Sequence, residues 1–241
     1  MKRKTRTIKV DLLARVEGEG ALLIDFRNGE PDVRLRIFEP PRFFEAFLVG
    51  RRFDEVPDIT ARICGICPIA YQLSSTTAME NAFGVTVGGM LRELRRLVYC
   101  GEWIESHALH VHLLHAPDFL GFEDAIQMAG AEAGPVRRGL KLKEIGNRIM
   151  SLVGGRAVHP INIRVGGFYS VPSRQAVRDL LPELEQGLDE AEQSARWVAG
   201  FDFPDFAPKT DFVAMRHPDE YPLFDGRLVG TDGLDIALDE F

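Results

Sequence analysis

The sequence contains little cysteine and no long apolar run. Its 241 residues include three cysteines, at positions 64, 67 and 100. This number is too small, and odd, for a disulfide framework, so we expect reduced thiols and a cytoplasmic protein. No stretch of about 18 apolar residues occurs, so the sequence predicts no membrane span. The basic N-terminal stretch also lacks the apolar core of a signal peptide.

The sequence has no excess of basic charge either. Its formal net charge is −7 and its pI is about 5.4, whereas proteins that bind nucleic acid or anionic membranes need a basic face. We therefore predict no nucleic-acid partner. Hydrophobic residues make up 45% of the chain, which is ordinary for a globular protein that buries a sizeable core.

Three segments differ in their patterns. Residues 1–40 hold short alternating runs separated by turn-forming residues, which predicts a small antiparallel sheet. Residues 41–200 show helical periodicity and predict a bundle of long helices. Residues 201–241 contain prolines and many acidic residues, and we predict an irregular tail. The expected fold class is α+β, mainly α with a small N-terminal antiparallel β-sheet.

Local signals mark the ends of several helices. Pro68 and Gly84 bracket one predicted helix, and a long amphipathic pattern covers residues 87–115 and stops before Pro117. Ser173 is a predicted N-cap for a helix that extends to about residue 200. Two further helices are predicted over residues 121–130 and 134–155, and the Gly- and Pro-rich residues 154–173 predict a loop or hairpin.

The stretch "ARICGICPIAYQ" holds Cys64 and Cys67 directly before a predicted helix. Their sulfurs should lie near free backbone N–H groups, an environment that lowers a thiol pKa. A thioredoxin-like redox switch needs a buried strand before the pair, whereas the preceding residues are polar and helix-like. A zinc site needs four ligands, which Cys100 and a histidine would have to complete. A purely structural pair is the third interpretation, and the residues alone leave all three open.

Other reactive residues have simple interpretations. The segment "ESHALHVHLLH" contains four histidines, some at i,i+3 spacing, but they spread over more than one helical face and are more typical of packing than of a metal site: His107, His110, His112 and His115. Cys100 is most simply a small buried hydrophobe. His159 precedes a proline and is expected to bond a backbone group. Glu17 and Glu45 are notable only for their context.

Five segments taken together resemble the N-terminal part of a nickel–iron hydrogenase large subunit. They are "ARVEGEG" (14–20), "PRFFEAFLVGR" (41–51), "ARICGICPIAYQ" (61–72), "ESHALHVHLLH" (105–115) and "GGRAVHPINIRVGGFY" (154–169). The continuation "CPIAYQ" most resembles the cytoplasmic, bidirectional, NADP-linked branch that includes sulfhydrogenases. The resemblance implies the long-helix bundle of that subunit, in incomplete form.

The resemblance also implies roles for four residues. Cys64 corresponds to a terminal nickel ligand, and Cys67 to a thiolate that bridges nickel and iron. The iron carries carbon monoxide and cyanide ligands in this family. Glu17 corresponds to a proton gate, and Glu45, nineteen residues before Cys64, to a ligand of magnesium.

The implied activity is reversible oxidation of H2 to protons and electrons in a complex. Electrons would pass to a small subunit that holds iron–sulfur clusters. Diaphorase-type subunits carrying FAD and binding NAD(P) would follow in the favoured branch. The alternatives are a Cys-x-x-Cys redox or zinc-binding protein, and a metal-free hydrogenase-like scaffold subunit.

Two features depart from the family pattern. Tyr71 occupies the position, four residues after Cys67, where the family usually has histidine. The second motif, Asp-Pro-Cys-x-x-Cys-x-x-His, is absent, and no cysteine follows Cys100. We therefore expect an N-terminal fragment or a subunit completed by a second polypeptide, and no activity for residues 1–241 alone.

Overall fold

The structure is a computed structural model and describes residues 6–27 and 29–241. It divides into two compact units, the first ending at Val198 and the second spanning Ala199–Phe241. The first unit combines helices with a small antiparallel sheet, so the predicted α+β class is confirmed. Among the described residues, no helix has both the length and the hydropathy needed to cross a membrane.

The N-terminal sheet has three antiparallel strands in the order of the chain: β1 (Arg6–Val10), β2 (Gly20–Arg27) and β3 (Glu30–Ile37). Ile24 on β2 lies opposite Ile8 on β1 and Val33 on β3. This sheet was predicted from the alternating runs. Alternate apolar residues on β3 are nevertheless exposed, from 59% for Val33 to 79% for Ile37, so this chain leaves one surface of the sheet uncovered.

The helical part of the first unit follows the sheet. Its elements are α1 (Phe44–Leu48), α2 (Val56–Thr60), α3 (Pro68–Phe83), α4 (Gly89–Ala108), a π-helical segment (Leu109–His115), α5 (Ala116–Leu120), α6 (Ala125–Ala131), α7 (Ala133–Gly154), the hairpin of β4 (Ile163–Arg164) and β5 (Gly167–Phe168), α8 (Arg174–Arg178) and α9 (Leu181–Val198).

The ends of α3 follow the predicted signals. Pro68 occupies its first turn, where the missing N–H costs nothing, and Gly84 takes the left-handed conformation just after its end, with φ of 65°. The predicted hairpin between α7 and α8 is also present.

Two predicted helices differ in the structure. The long pattern of residues 87–115 was expected to stop before Pro117, but the chain continues through the π-helical segment into α5. Pro117 lies in the first turn of α5, a position that tolerates proline. Ser173 does cap a helix, since its Oγ accepts the N–H of Ala176 at 3.1 Å. That helix, α8, is only one turn long, and α9 begins separately at Leu181.

The core lies where α4 crosses α7. A Cβ atom added to Gly146 would lie 2.6 Å from the carbonyl oxygen of Gly101 and 2.6 Å from the backbone nitrogen of Glu105. The two helices therefore touch through their backbones, and fully buried side chains such as Val98 and Ile149 surround the crossing. This close packing fixes the position of α4, which contributes to the site described below.

The second unit contains a three-stranded antiparallel sheet of β6 (Val213–Arg216), β7 (Arg227–Gly230) and β8 (Asp235–Ala237). The prediction of an irregular tail is wrong for these residues. Strands of three or four residues are too short to show a recognisable alternation in the sequence.

Candidate metal centre

The cysteine loop, residues 61–67, joins α2 to α3 and carries Cys64 and Cys67. The sulfur of Cys64 accepts the backbone N–H groups of Ile66 at 3.4 Å and Cys67 at 3.2 Å. Both thiols are free and partly exposed. The loop therefore folds around the Cys64 sulfur with its N–H groups turned inward, an arrangement that stabilises negative charge on sulfur.

The pKa of Cys67 contradicts the prediction from its position. It is raised to about 12, first by burial, then by the hydrogen bond to Cys64 and by the charges of Cys64, Glu102 and Glu17. The start of α3 was expected to lower it, but burial and the surrounding negative groups outweigh the helix end. A metal that binds the Cys67 sulfur must therefore displace a proton.

Glu102 on α4 supports the loop from the helical core. Its side chain is buried, with the residue 2% exposed, and it accepts the N–H of Ile69 at 2.5 Å and that of Ala70 at 3.1 Å. These amides belong to the first turn of α3, where backbone donors have no partner within the helix. Burial raises the pKa of Glu102 to about 7, although the two amide bonds act in the opposite direction.

Sequence reasoning missed Glu102. It lies in "CGEWIE", which matches no motif, and its carboxylate would normally be placed on a solvated face. One signal was available in the sequence, because Val98, Glu102 and Glu105 are spaced to lie on one face of a helix. In the structure, all three residues are buried. A glutamate on an otherwise buried stripe needs hydrogen-bond partners, and here the start of α3 provides them.

His159 holds the loop from the segment after α7. It adopts the left-handed conformation, with φ of 49°, and its Nδ1 lies 2.7 Å from the carbonyl oxygen of Ala61, so Nδ1 donates to that oxygen. The next residue, Pro160, accepts the side-chain amide of Gln72 on α3 at 3.1 Å. The prediction that His159 bonds a backbone group is confirmed, and the bond anchors the start of the cysteine loop.

Tyr71 lies one helical turn after Cys67. Burial raises the pKa of its hydroxyl, and the charges of Cys67 and Cys64 raise it further. The hydroxyl therefore lies within the electrostatic influence of both sulfurs.

Glu17 lies in the loop between β1 and β2. Its side chain is 61% exposed, and its Oε1 lies 3.5 Å from Nε2 of His110 in the π-helical segment. The charge of Glu17 contributes to the raised pKa of Cys67, although less than the charges of Cys64 and Glu102 do. The structure therefore brings Glu17 into the electrostatic surroundings of the cysteine pair.

Glu45 is less closely associated with the pair. It lies in the single turn of α1, and its side chain is exposed. Within residues 6–27 and 29–241, no hydrogen bond or ion pair joins it to Cys64 or Cys67. Its predicted role with magnesium stays a prediction.

The four clustered histidines point in different directions. His112 is buried, bonds Ser194 Oγ through Nε2 at 2.9 Å and stacks on Trp197, and burial lowers its pKa. His107 is exposed beside Trp103. The rings of His110 and His115 stack with centroids 6.1 Å apart. His112 is thus a packing residue, whereas His110 and His115 form a surface pair.

The donor atoms present suit half of a nickel–iron site. Thiolates are soft ligands that favour nickel and iron, and Cys64 and Cys67 supply two of them. In the part of the chain that the structure describes, no three His, Cys, Asp or Glu side chains come together to hold a metal ion. The element before the cysteine loop is helix α2, so the buried strand of a thioredoxin-like switch is absent from this position.

The sequence around this site is similar to that of known proteins. Residues 42–139, which include α1 to α6 and the cysteine loop, match the family model of nickel-dependent hydrogenases. Over these residues the chain is similar to nickel-dependent hydrogenases, and the match covers less than half of its length. It is 46% identical over 174 residues to the sulfhydrogenase 2 alpha subunit of Pyrococcus furiosus, an alignment that covers 72% of this chain and 42% of the relative. It is 32% identical over 244 residues to the sulfhydrogenase 1 alpha subunit of the same organism, covering 100% of this chain and 57% of the relative.

A solved structure shares the fold over most of the chain. It is an NAD+-reducing [NiFe]-hydrogenase in the H2-reduced state, with a TM-score of 0.85 and 27% identity, covering 95% of this chain and 55% of that one. The present chain thus spans about half the length of the hydrogenase subunits that it matches. The resemblance to nickel–iron hydrogenase large subunits, stated from five short motifs, is confirmed.

Proposed function

We propose that this chain is the N-terminal half of the catalytic subunit of a cytoplasmic nickel–iron hydrogenase, which catalyses the reversible oxidation of H2 to protons and electrons. The observation that carries this proposal is the cysteine loop, with two sulfurs held at the start of α3 in a hydrogenase fold. The similarity to two sulfhydrogenase alpha subunits favours the bidirectional, NADP-linked branch.

Cys64 would be a terminal ligand of nickel, and Cys67 would bridge nickel and iron. The remaining two thiolates would come from a segment outside residues 1–241, in a C-terminal half or a second chain. When bound, the nickel–iron centre with its carbon monoxide and cyanide ligands supplies heterolytic cleavage of H2. Glu102 and His159 would keep the two sulfurs in position, and Glu45 would help to hold magnesium.

Protons would leave through residues of this chain. A cysteine sulfur at the centre would take the first proton, and Glu17 would pass it outward through its carboxylate. Electrons would leave by a different route, through iron–sulfur clusters of a small subunit and then through flavin-containing, NAD(P)-binding subunits. The similar fold of an NAD+-reducing [NiFe]-hydrogenase supports NAD(P) as the final electron acceptor.

Hydrogen-dependent dye reduction by the complete complex tests the proposal. Cys67→Ser should reduce the rate by about a thousandfold or more, because an alcohol cannot replace a bridging thiolate. Cys100→Ser is the matched control and should leave most of the rate, since Cys100 lies in α4 and is separate from the cysteine loop.

The same assay on residues 1–241 alone should show no hydrogen-dependent reduction, because two thiolates are too few to hold the centre. Activity of the isolated chain, or full activity of the Cys67→Ser complex, would contradict the proposal.

A further inference from the structure

We propose that His110 is a proton-relay residue that exchanges protons between Glu17 and solvent. The proposal rests on the role proposed above for Glu17 and adds the next group along the path. The four clustered histidines were interpreted from sequence as packing residues. The structure gives His110 a different setting, because its ring contacts Glu17, a predicted site residue.

The contact crosses from the N-terminal loop to the helical bundle. His110 Nε2 lies 3.5 Å from Glu17 Oε1. This is slightly longer than a hydrogen bond, but such bonds are often long before a reaction complex forms. The imidazole is 31% exposed, so it can reach water while it faces the carboxylate.

The other ring nitrogen fixes the tautomer. Nδ1 of His110 lies 2.7 Å from the carbonyl oxygen of Ser106, one turn earlier on α4. A carbonyl oxygen only accepts hydrogen bonds, so Nδ1 carries the proton of the neutral ring. Nε2 is then the basic atom, and it is the atom that faces Glu17.

The π-helical segment aligns His110 with His115. Bonding from i to i+5 places residues five apart above one another, whereas in an α-helix residues four apart are aligned. The two rings are stacked, with an interplanar angle of 25°. Single π-helical turns are rare and occur frequently at functional sites. Here the turn places a second, exposed imidazole against the ring of His110.

An ion pair holds the loop of Glu17 against α5, which directly follows the π-helical segment. Arg15, two residues before Glu17, bonds both carboxylate oxygens of Asp118 at 3.0 and 3.1 Å and the carbonyl oxygen of Glu123 at 3.1 Å. Asp118 lies three residues after His115. The Glu17–His110 separation is therefore set by a bidentate contact next to it, unlike that of an isolated surface pair.

The relay moves one proton and no electron. The O–H bond of the protonated Glu17 carboxyl group breaks, and an N–H bond forms at Nε2 of His110. The imidazolium then releases its Nε2 proton to water, which restores the Nδ1–H tautomer. The Glu17 carboxylate is free to accept the next proton from the cysteine sulfur, and the same steps run in reverse when H2 is formed.

The test compares two reactions of the complete complex. Release of HD and H2 from D2 in water requires deuterons to leave the site and solvent protons to enter it, whereas conversion of para-H2 to ortho-H2 requires only cleavage and re-formation of H2. His110→Ala and His110→Gln should lower isotope exchange about tenfold or more and leave conversion and nickel content unchanged. Added imidazole should restore exchange in His110→Ala.

The control is His107→Ala, which removes an exposed imidazole from the same helical stretch and should change neither reaction. Equal exchange in His110→Ala and the unsubstituted complex would overturn the inference. A parallel loss of exchange, conversion and nickel would also overturn it, since that result indicates a structural role.

Glu17→Gln separates this inference from the proposed function. If Glu17→Gln lowers exchange and His110→Ala does not, the inference alone fails. If Glu17→Gln leaves exchange unchanged, the proposed role of Glu17 fails, and the relay fails with it.

A second readout needs no metal. Nitrogen-15 NMR of the 241-residue chain should show the Nδ1–H tautomer for the neutral ring of His110. An Nε2–H tautomer at His110 would contradict the geometry on which the relay depends.

Discussion

The cysteine loop and the two outer carboxylates, Glu17 and Glu45, differ in how completely this chain surrounds them. Glu102 bonds two amides directly after the cysteine loop, and His159 bonds the carbonyl group at its start. By contrast, the side chain of Glu17 is 61% exposed, and Glu45 lies exposed on a single helical turn.

This difference in burial agrees with the two tasks proposed for the site, which are holding the metal ligands and moving protons. Ligand atoms must keep a fixed geometry, and a buried network that spans α3, α4 and the segment after α7 can provide it. Groups that move protons or meet other protein segments lie on elements with few internal contacts. On this account, substitutions in the network should affect folding, and those at the outer carboxylates should affect only function.

The largest effect on stability should come from Glu102→Ala. It removes the acceptor of two first-turn amides of α3 and leaves them buried, which should lower the free energy of unfolding by about 2–3 kcal/mol. Glu102→Gln keeps one acceptor oxygen and should lose about half as much. Urea denaturation of the 241-residue chain measures both. Wild-type stability in Glu102→Ala would show that the loop does not depend on this side chain.

The pH dependence of stability should identify the same residue. Burial raises the pKa of Glu102 in the folded state to about 7, above its ordinary value of 4.5, so the folded state binds the proton more tightly than the unfolded state. The associated stabilisation is fully present below about pH 4.5 and is lost as pH rises through 7, with an upper limit of about 3 kcal/mol. Glu102→Gln should remove this slope. An identical slope in the variant would assign the dependence to other groups.

His159→Ala should have a smaller effect, about 1 kcal/mol, because it removes one hydrogen bond to the carbonyl of Ala61. The anchor of the cysteine loop would be lost, so alkylation of Cys64 and Cys67 should become faster. His159→Asn is the control, since asparagine tolerates the left-handed conformation and can donate from its amide. Unchanged alkylation rates in His159→Ala would exclude the proposed anchoring.

Glu17→Gln and Glu45→Gln should change stability least, by less than about 0.5 kcal/mol each, as is usual for exposed side chains. The same denaturation experiment measures them. A loss comparable to that of Glu102→Ala would remove the distinction between the cysteine loop and the outer carboxylates.

Sequence patterns predicted the parts of the fold that are marked locally. Pro68 and Gly84 set the ends of α3, and turn-forming residues divide β1, β2 and β3. The cysteine pair was found because its motif is contiguous. The resemblance of five spaced motifs supplied the family, which composition and local structure alone could not distinguish from a redox or zinc site.

The rest depends on contacts between distant residues. Glu102 becomes a support of the cysteine loop only because α4 packs beside the start of α3. The π-helical turn has no sequence signal, since residues 109–115 suit an α-helix equally well. The raised pKa of Cys67 results from burial and neighbouring charges, which outweighed the helix end on which the prediction relied.

The most direct test of the central claim is metal analysis of the complete complex, purified anaerobically with its partner subunits. We expect about one nickel per copy of this chain, with iron in excess of nickel because the partner subunits hold iron–sulfur clusters, and in Cys67→Ser loss of the nickel together with about one iron. Zinc in place of nickel, or no nickel together with a Cys64–Cys67 dithiol that titrates reversibly, would contradict the proposed nickel–iron centre.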